Sequence, residues 1–366
     1  MKHKKRIAVI GLKGLPAFGG AATVGEHLVC QLKDQYDFTV LSTASHASKS
    51  DTELNGVKQK VFTNVGKGGI NTFWYYLKCL NHVIWNKYDM IHLHHAESGF
   101  ITPLLKLKYR VIVTFHGVFE NEDPKFSRIE NNFFRFSERM NVKYADEIIS
   151  VSNPDREYIF RKYKKEILYI PNGITLANYE LSKDKYENYT LTFAAGRIYH
   201  IKGLHVLLNS LKKIERKLSL VVIGDLNQVP AYKAEIMELV NDLDVTFIGL
   251  LKNKKELFET ISKSHLFIFP SLTEAMSMML LEAASLKTPI IASDIAANVA
   301  IFSDEEVVFF ESECVENLAD KINLAIDNPE LMNSKAAIAY DKLTNEFSWE
   351  IISKRYSEIF SNNYVG

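Results

Sequence analysis

The chain has 366 residues, 47% hydrophobic and 24% charged, with 44 Lys and Arg balancing 44 Asp and Glu. That length exceeds what one core comfortably serves, so two domains are expected, and the composition is that of an ordinary globular protein rather than a disordered or fibrous one. A neutral chain without a recognisable binding module argues against a nucleic-acid partner, and no apolar run approaches the ~18 residues of a membrane span.

In chain order, Met1–Lys5 precedes an apolar stretch, Ile7–Leu12, that Lys13 interrupts. It is too short for a secretory signal and reads as a first buried strand, Arg6–Gly11. A glycine-rich turn follows, Gly11-Leu-Lys-Gly-Leu-Pro-Ala-Phe-Gly-Gly20. Leu15 and Pro16 intrude where a dinucleotide fingerprint needs its tight phosphate turn, which disfavours a nicotinamide dehydrogenase. The turn is expected to be a mobile loop, with Gly19 and Gly20 nearest the ligand. A helix over Val24–Lys33 and strands at Phe38–Ser42, Met90–His94, Val111–Phe115, Glu147–Ser150 and Ile167–Ile170 follow, with a further helix at Thr72–Asn86. Short Val/Ile-rich runs separated by helical patterns predict a buried parallel sheet. The segment Phe126–Met140 carries Phe126, Ile129, Phe133, Phe136 and Met140 at 3–4 spacing, an apolar stripe expected to pack in the core rather than face a membrane. Cys30, Cys79 and Cys314 form neither a metal spacing nor an even disulfide set, as expected for free thiols in a reducing cytoplasm.

Pro171-Asn-Gly-Ile-Thr and the polar stretch Asn178–Tyr189 punctuate the chain, so the linker is expected here. The alternation then restarts, with strands at Leu191–Ala195, Ser219–Ile223, Val245–Ile248, Leu266–Pro270, Ile290–Ala292 and Val307–Phe309. Domains are expected over 1–172 and 173–345, two doubly wound α/β units facing a cleft. In such sheets ligands sit at the carboxyl ends of the strands. Charge is uneven between the halves. Residues 1–172 hold 25 Lys and Arg against 17 Asp and Glu, and residues 173–366 hold 19 against 27. The basic clusters Lys2–Arg6, Lys106–Arg110 and Arg161–Lys165 are either solvated helix faces or a surface for an anionic membrane.

Several constellations fall at strand ends. Glu274 and Glu282 stand eight positions apart in a largely apolar run, with Glu274 in a turn and Glu282 about two turns into a helix expected from Met276. The helix N-terminus between them offers free N–H groups and a positive dipole end, an anion site. A nucleotide-sugar fits that spacing, with sugar at Glu274, diphosphate on the helix start and ribose diol at Glu282. The alternative is a helix-capping Glu274 and a solvent-facing Glu282. Arg197 and Lys202, in Gly196-Arg-Ile-Tyr-His-Ile-Lys-Gly203, follow a strand and can meet a diphosphate, or are ordinary surface cations. His116-Gly117 closes the strand Val111–Phe115 and suits a site rim, or His116 is a satisfied structural residue. His92, His94 and His95, with Glu97 behind, offer too few convergent ligands for zinc and read as a buried strand end or pocket wall.

Together these features resemble the retaining glycosyltransferases of family 4, which have the GT-B fold. The resemblance runs through the glycine-rich loop, His116-Gly117, Ala145-Asp-Glu-Ile-Ile-Ser-Val-Ser152, Ile170-Pro-Asn-Gly173, Gly196-Arg197 with Lys202, Val222-Ile-Gly-Asp225, Glu274-x7-Glu282 and Phe347-Ser-Trp-Glu350. It implies that Glu282 binds ribose hydroxyls and that Glu274 and His116 contact the transferred sugar. It implies that Arg197 and Lys202 neutralise the diphosphate in place of a divalent metal, so no cofactor or metal is expected. Gly196 and the stretch Ala275, Met276, Ser277, Met278 and Met279 would border the donor, and Gly19 and Gly20 the donor phosphates and acceptor. The first domain would bind the acceptor and the second the donor, with a last helix over 346–366 returning to the first. Ala275 and Ser277 stand where the family often has glycine, which narrows the space beside the sugar.

The leading expectation is therefore a retaining, metal-independent glycosyltransferase. It would take a UDP- or GDP-sugar and act on a saccharide or lipid-linked saccharide in surface polysaccharide or glycolipid assembly. It would be cytoplasmic, with a peripheral membrane contact open. Alternatives of the same fold are a non-catalytic nucleotide-sugar-binding protein and a nucleotide-sugar epimerase.

Overall fold

Strands buried on both faces need apolar residues at consecutive positions, and the Val/Ile-rich runs build two parallel sheets for that reason. The computed structural model describes residues 4–16, 20–47, 50–118, 127–176, 180–181 and 184–362. The chain forms two compact units. One comprises Met1–Gly173 with Trp349–Gly366, and the other Ile174–Ser348.

The first unit contains β1 (Arg6–Lys13), α1 (Gly20–Leu32), β2 (Asp37–Thr43), β3 (Thr52–Leu54), β4 (Val57–Phe62), α2 (Gly68–Trp85), β5 (Met90–His94), α3 (Thr102–Lys106), β6 (Arg110–Phe115), α4 (Arg128–Tyr144), β7 (Glu147–Ser150), α5 (Asn153–Tyr163) and β8 (Leu168–Tyr169). Its sheet runs β3-β4-β2-β1-β5-β6-β7-β8. All neighbours are parallel except β3 and β4. That pair is a hairpin the apolar patterning does not announce. Its signal is Asn55-Gly56, whose positive φ angles of 52° and 83° supply the tight turn joining Leu54 to Val57.

The second unit contains β9 (Thr190–Arg197), α6 (Leu204–Leu211), β10 (Ser219–Asp225), α7 (Pro230–Leu239), β11 (Asp244–Gly249), α8 (Lys254–Lys263), β12 (Leu266–Phe269), α9 (Met278–Ser285), β13 (Ile290–Ser293), α10 (Ala296–Val299), β14 (Val308–Phe310), α11 (Val315–Asp327) and α12 (Pro329–Glu346). Its sheet is wholly parallel in the order β11-β10-β9-β12-β13-β14. Leu191, Phe193, Val222, Leu266, Ile268 and Ile291 of this sheet form its core with Leu207 and Leu208 of α6 and Ile322 of α11.

The last helix, α13 (Trp349–Ser361), belongs to the first unit. Its Phe360 is fully buried and packs edge-on against Tyr36 and Phe38, while Arg110 donates to the carbonyls of Ile359 and Asn362 at 2.9 and 2.6 Å. Those two bonds satisfy carbonyls that the end of a helix otherwise leaves without partners.

The stripe on α4 corrects the expectation of a core face. Phe126 lies outside the described residues. Ile129 is 82% exposed and Phe136 51% exposed, and the residues α4 buries are Asn131, Ser137, Glu138, Asn141 and Val142. A polar face can be buried here because its groups are paired. Asn141 accepts from Thr102 and donates to the Ala96 carbonyl, and Glu138 accepts from Lys162 and Tyr163.

Candidate active site

A doubly wound sheet leaves a crevice where its strand order reverses, because the loops after the two strands there turn to opposite faces. In the second unit the reversal falls between β9 and β12, and in the first between β1 and β5. The candidate residues sit at these two points.

In the second unit, Gly196 and Arg197 end β9 and are exposed. Arg197 is backbone-paired with Asp225 of β10, and its guanidinium has no ion pair or hydrogen bond among the described residues. A Cβ on Gly196 would meet no atom within 4 Å, so this edge is open. The chain then turns through Lys202 to Gly203, whose φ of 71° suits glycine, and a Cβ there would lie 1.9 Å from the Pro270 carbonyl oxygen. Close approach of these two backbones brings Lys202 to the loop after β12. Its ammonium donates to Glu274 Oε1 at 2.5 Å, and Ser271 Oγ donates to the same oxygen at 3.0 Å. Ser271 is itself held, because Ser293 at the end of β13 donates to its carbonyl at 2.5 Å and Asn298 donates to the Ser293 carbonyl at 2.9 Å. Glu274 is therefore fixed from two strands and does not cap α9. Lys202, expected to stand free for a diphosphate, is paired with it.

Helix α9 starts at Met278, two residues later than expected, after a turn through Ala275, Met276 and Ser277. Glu282 is therefore its fifth residue, and the helical path from Met278 to Glu282 rises about 6 Å. Ser277 makes no side-chain cap, so its hydroxyl leaves the first N–H groups of α9 unserved. Met276 and Ser277 are buried. Glu282 is 4% exposed, which excludes the solvent-facing alternative. Its Oε1 accepts from the Lys254 ammonium, and its buried Oε2 has no partner among the described residues. Burial pushes the Glu282 carboxyl up, and the Lys254 charge pulls it back. Lys254 stands outside every motif singled out above. The available signal was Lys252-Asn253-Lys254-Lys255, a basic run at a helix start, where the dipole disfavours cations.

In the first unit, Gly11 at the crossing of β1 and β5 has φ 110°, and a Cβ there would lie 2.4 Å from the His94 carbonyl oxygen. The loop beyond it is pinned rather than mobile over Gly14–Pro16. Leu15 donates to Gln59 Oε1 at 2.6 Å, Gln59 Nε2 donates back to the Leu15 carbonyl at 3.1 Å, and Leu15 is buried. Gly20 is the first residue of α1, and Gly19 lies outside the described residues.

His116 follows β6 and is joined to His94 by a 2.9 Å Nε2–Nδ1 hydrogen bond, with the rings stacked at 5.2 Å. His92 lies 4.2 Å from His94 and is bonded through Nε2 to Thr114 Oγ1 at 2.9 Å. His95 packs on His116 at 5.1 Å. Burial lowers the pKa of all four rings, with His92 and His95 pushed to about 3, so the cluster stays uncharged at neutral pH. Burial raises the Glu97 carboxyl. Among the described residues no group of three His, Cys, Asp or Glu side chains could hold a metal ion.

Residues 18–178 match the family described as Glycosyltransferase Family 4, and residues 178–342 match Glycosyl transferases group 1. This chain belongs to glycosyltransferase family 4. One relative, an uncharacterized glycosyltransferase of Methanocaldococcus jannaschii, is 27% identical over 346 residues, covering 92% of each chain. The O-antigen chain mannosyltransferase RfbU of Salmonella typhimurium is 27% identical over 233 residues, covering 62% of this chain and 61% of that one. Among solved structures, Anabaena HepE in complex with UDP and glucose aligns over 98% of this chain and 99% of its own, with a TM-score of 0.78 at 16% identity. The fold of this family 4 enzyme is GT-B, with two Rossmann-like α/β units. No helix among its described residues is long and apolar enough to cross a membrane.

The close approach at Gly203 generates a prediction. In Gly203→Ala, a side chain in the left-handed region costs about 1–2 kcal/mol, and the contact with Pro270 adds to it. The variant should lose about 2 kcal/mol or more, read as a lower denaturation midpoint of the second unit. An unchanged midpoint contradicts the tight docking of this turn.

Proposed function

We propose that this enzyme transfers a sugar from a nucleoside-diphosphate sugar, a UDP- or GDP-sugar, to a hydroxyl of a saccharide or lipid-linked saccharide, with retention and without a divalent metal. The observation that carries this reading is the buried, unpartnered Oε2 of Glu282 at the reversal point of the second sheet. A buried carboxylate oxygen without a donor is costly unless a ligand supplies one. A ribose diol supplies two O–H donors. The uncapped start of α9, around Ala275, Met276, Ser277, Met278 and Met279, supplies N–H groups to the phosphates. Arg197 at the open edge beside Gly196 adds a forked cation. Glu274 meets the sugar through the oxygen Lys202 leaves open, and Lys202 adds positive charge as the leaving phosphate develops its own. The second unit is then the donor side. The first, with His116 and the loop ending at Gly19 and Gly20, meets sugar hydroxyls and the acceptor. In this reading attack is on the same face, with the leaving phosphate taking the acceptor's proton, and the hold of Lys202 and Ser271 on Glu274 Oε1 fixes that carboxylate beside the sugar.

A surface on the first unit supports a peripheral membrane site and a lipid-linked acceptor. Ile70, Phe73 and Trp74 of α2 are exposed, as are Ile129 and Phe136 of α4, and the two helices meet where Phe73 lies 6.4 Å from Phe133 of α4. Of the acids of α4, Glu138 is buried against Lys162, and Glu130 is engaged by Ser127 in the cap of its own helix. Outward charge is basic, from Arg128, Arg139 and Lys143. An apolar patch rimmed by cations fits an anionic lipid surface.

A thermal-shift screen with UDP, GDP, ADP and their sugar conjugates should identify one base that raises the melting temperature. With that donor, Arg197→Ala should lower turnover on the order of 10²–10³-fold, the scale for losing one charge-stabilising donor. Normal turnover in Arg197→Ala removes its assigned role. Binding without transfer favours the non-catalytic reading, and an epimer formed without acceptor favours the epimerase. Separately, the protein should co-sediment with anionic vesicles at low salt, and Ile129→Ser with Phe136→Ser should weaken this by about tenfold. Sedimentation indifferent to anionic lipid and salt refutes the membrane contact.

A further inference from the structure

The two oxygens of the Glu282 carboxylate differ. Oε1 accepts from Lys254, whereas Oε2 is buried without a partner. Lys254 is the first residue of α8, with its side chain about half exposed and its ammonium 5.6 Å above the Phe258 ring. Asn253 already caps α8 by accepting from the Lys255 N–H at 2.9 Å. Lys254 therefore serves no capping purpose, and its charge stands at the end of the helix dipole that favours anions. Its position makes sense as a counter-charge delivered to the neighbouring helix.

We propose that Lys254 is a positioning residue for the donor. It keeps Glu282 anionic and ties up Oε1, leaving Oε2 as the acceptor for the vicinal hydroxyls of the nucleotide's ribose. The proposal rests on the nucleotide-sugar reading above. A protonated carboxyl turns one oxygen into a donor and gives up acceptor capacity, so it receives two diol O–H groups poorly. Burial favours that protonated form, and the charge opposing it at Glu282 is Lys254. Of the other charges around α9, Arg197 at the end of β9, unpaired among the described residues, is the cation assigned to the diphosphate, and on α8 Lys263 pairs with Glu259 while Asn253 Nδ2 donates to Glu256 at 3.4 Å. On α12, Lys342 pairs with Glu306, and Lys335 donates to the Asp304 carbonyl. Lys287 lies over Tyr340, and Glu274 holds Lys202.

The sign of the effect follows. Removing Lys254 raises the pH at which Glu282 loses its proton, so nucleotide affinity should fall as pH drops through that higher value. Lys254→Met keeps the stem and removes the charge. Calorimetric titration of the full chain with UDP, GDP and ADP, from pH 6 to pH 8, gives the ratio of variant to wild-type Kd. Titration of the nucleotide's own phosphate cancels in that ratio. The ratio should rise steadily as pH falls from 8 to 6, because the variant's Glu282 takes up its proton at a higher pH than the wild type's. Lys254→Arg should restore a flat ratio, and adding Glu282→Gln to Lys254→Met should abolish the pH dependence. A flat ratio for Lys254→Met overturns the proposal, with or without a lower melting temperature. Tighter binding by Lys254→Met at every pH also overturns it, because Lys254 would then compete with the ribose. Wild-type protein that binds none of the three nucleotides overturns the nucleotide-sugar reading and this inference with it.

Discussion

The reversal of strand order between β9 and β12 is the constraint on which the candidate donor site depends. At that point one loop leaves β9 carrying Arg197 and Lys202, and another leaves β12 carrying Glu274. Neither loop could present its side chains to a ligand if a third strand ran between them. Gly203 against Pro270 closes the distance, so that a cation from one loop and a carboxylate from the other meet at 2.5 Å. The same reversal, between β1 and β5, places Gly11 against the His94 carbonyl in the first unit. Both close contacts use glycine at positive φ, because a side chain there would be strained and would hold the two loops apart.

The two glutamates differ in what surrounds them. Glu274 is clamped by Lys202 and Ser271, with Ser293 and Asn298 behind, which gives it a fixed orientation. Glu282 is almost wholly buried and held by one cation, with its second oxygen unpaired. The first arrangement suits a group that must meet a reacting sugar in one geometry. The second suits a group whose remaining bonds come from a ligand. The histidine cluster of the first unit contrasts with both. Its rings are neutral and packed together, with His94 bonded to His116, so it offers hydrogen bonds and shape rather than charge.

Much of the fold is legible in the sequence because strands buried on both faces leave continuous Val/Ile runs. The expected spans at Met90–His94 and Glu147–Ser150 coincide with β5 and β7. Boundaries slip where a strand continues into polar residues, as β9 does to Arg197 and β10 to Asp225, since backbone pairing does not depend on side-chain polarity. The hairpin is marked by Asn55-Gly56 and not by its apolar pattern. The stripe on α4 misleads because periodicity reveals an apolar face without saying which way it turns. Asn141 and Glu138 are buried instead, through partners on other elements. Lys254 escaped because it reaches Glu282 across 28 positions, a distance no local motif encodes.

The central claim is that the unpaired oxygen of Glu282 awaits ribose hydroxyls. Calorimetry with the nucleoside diphosphate that binds and with its 2′,3′-dideoxy counterpart, on wild type and on Glu282→Gln, tests it directly. The account predicts that wild type loses about tenfold or more in affinity for the dideoxy ligand, the scale of hydrogen bonds to a charged acceptor, and that Glu282→Gln largely loses the distinction. Equal affinity of the wild type for both ligands would contradict it.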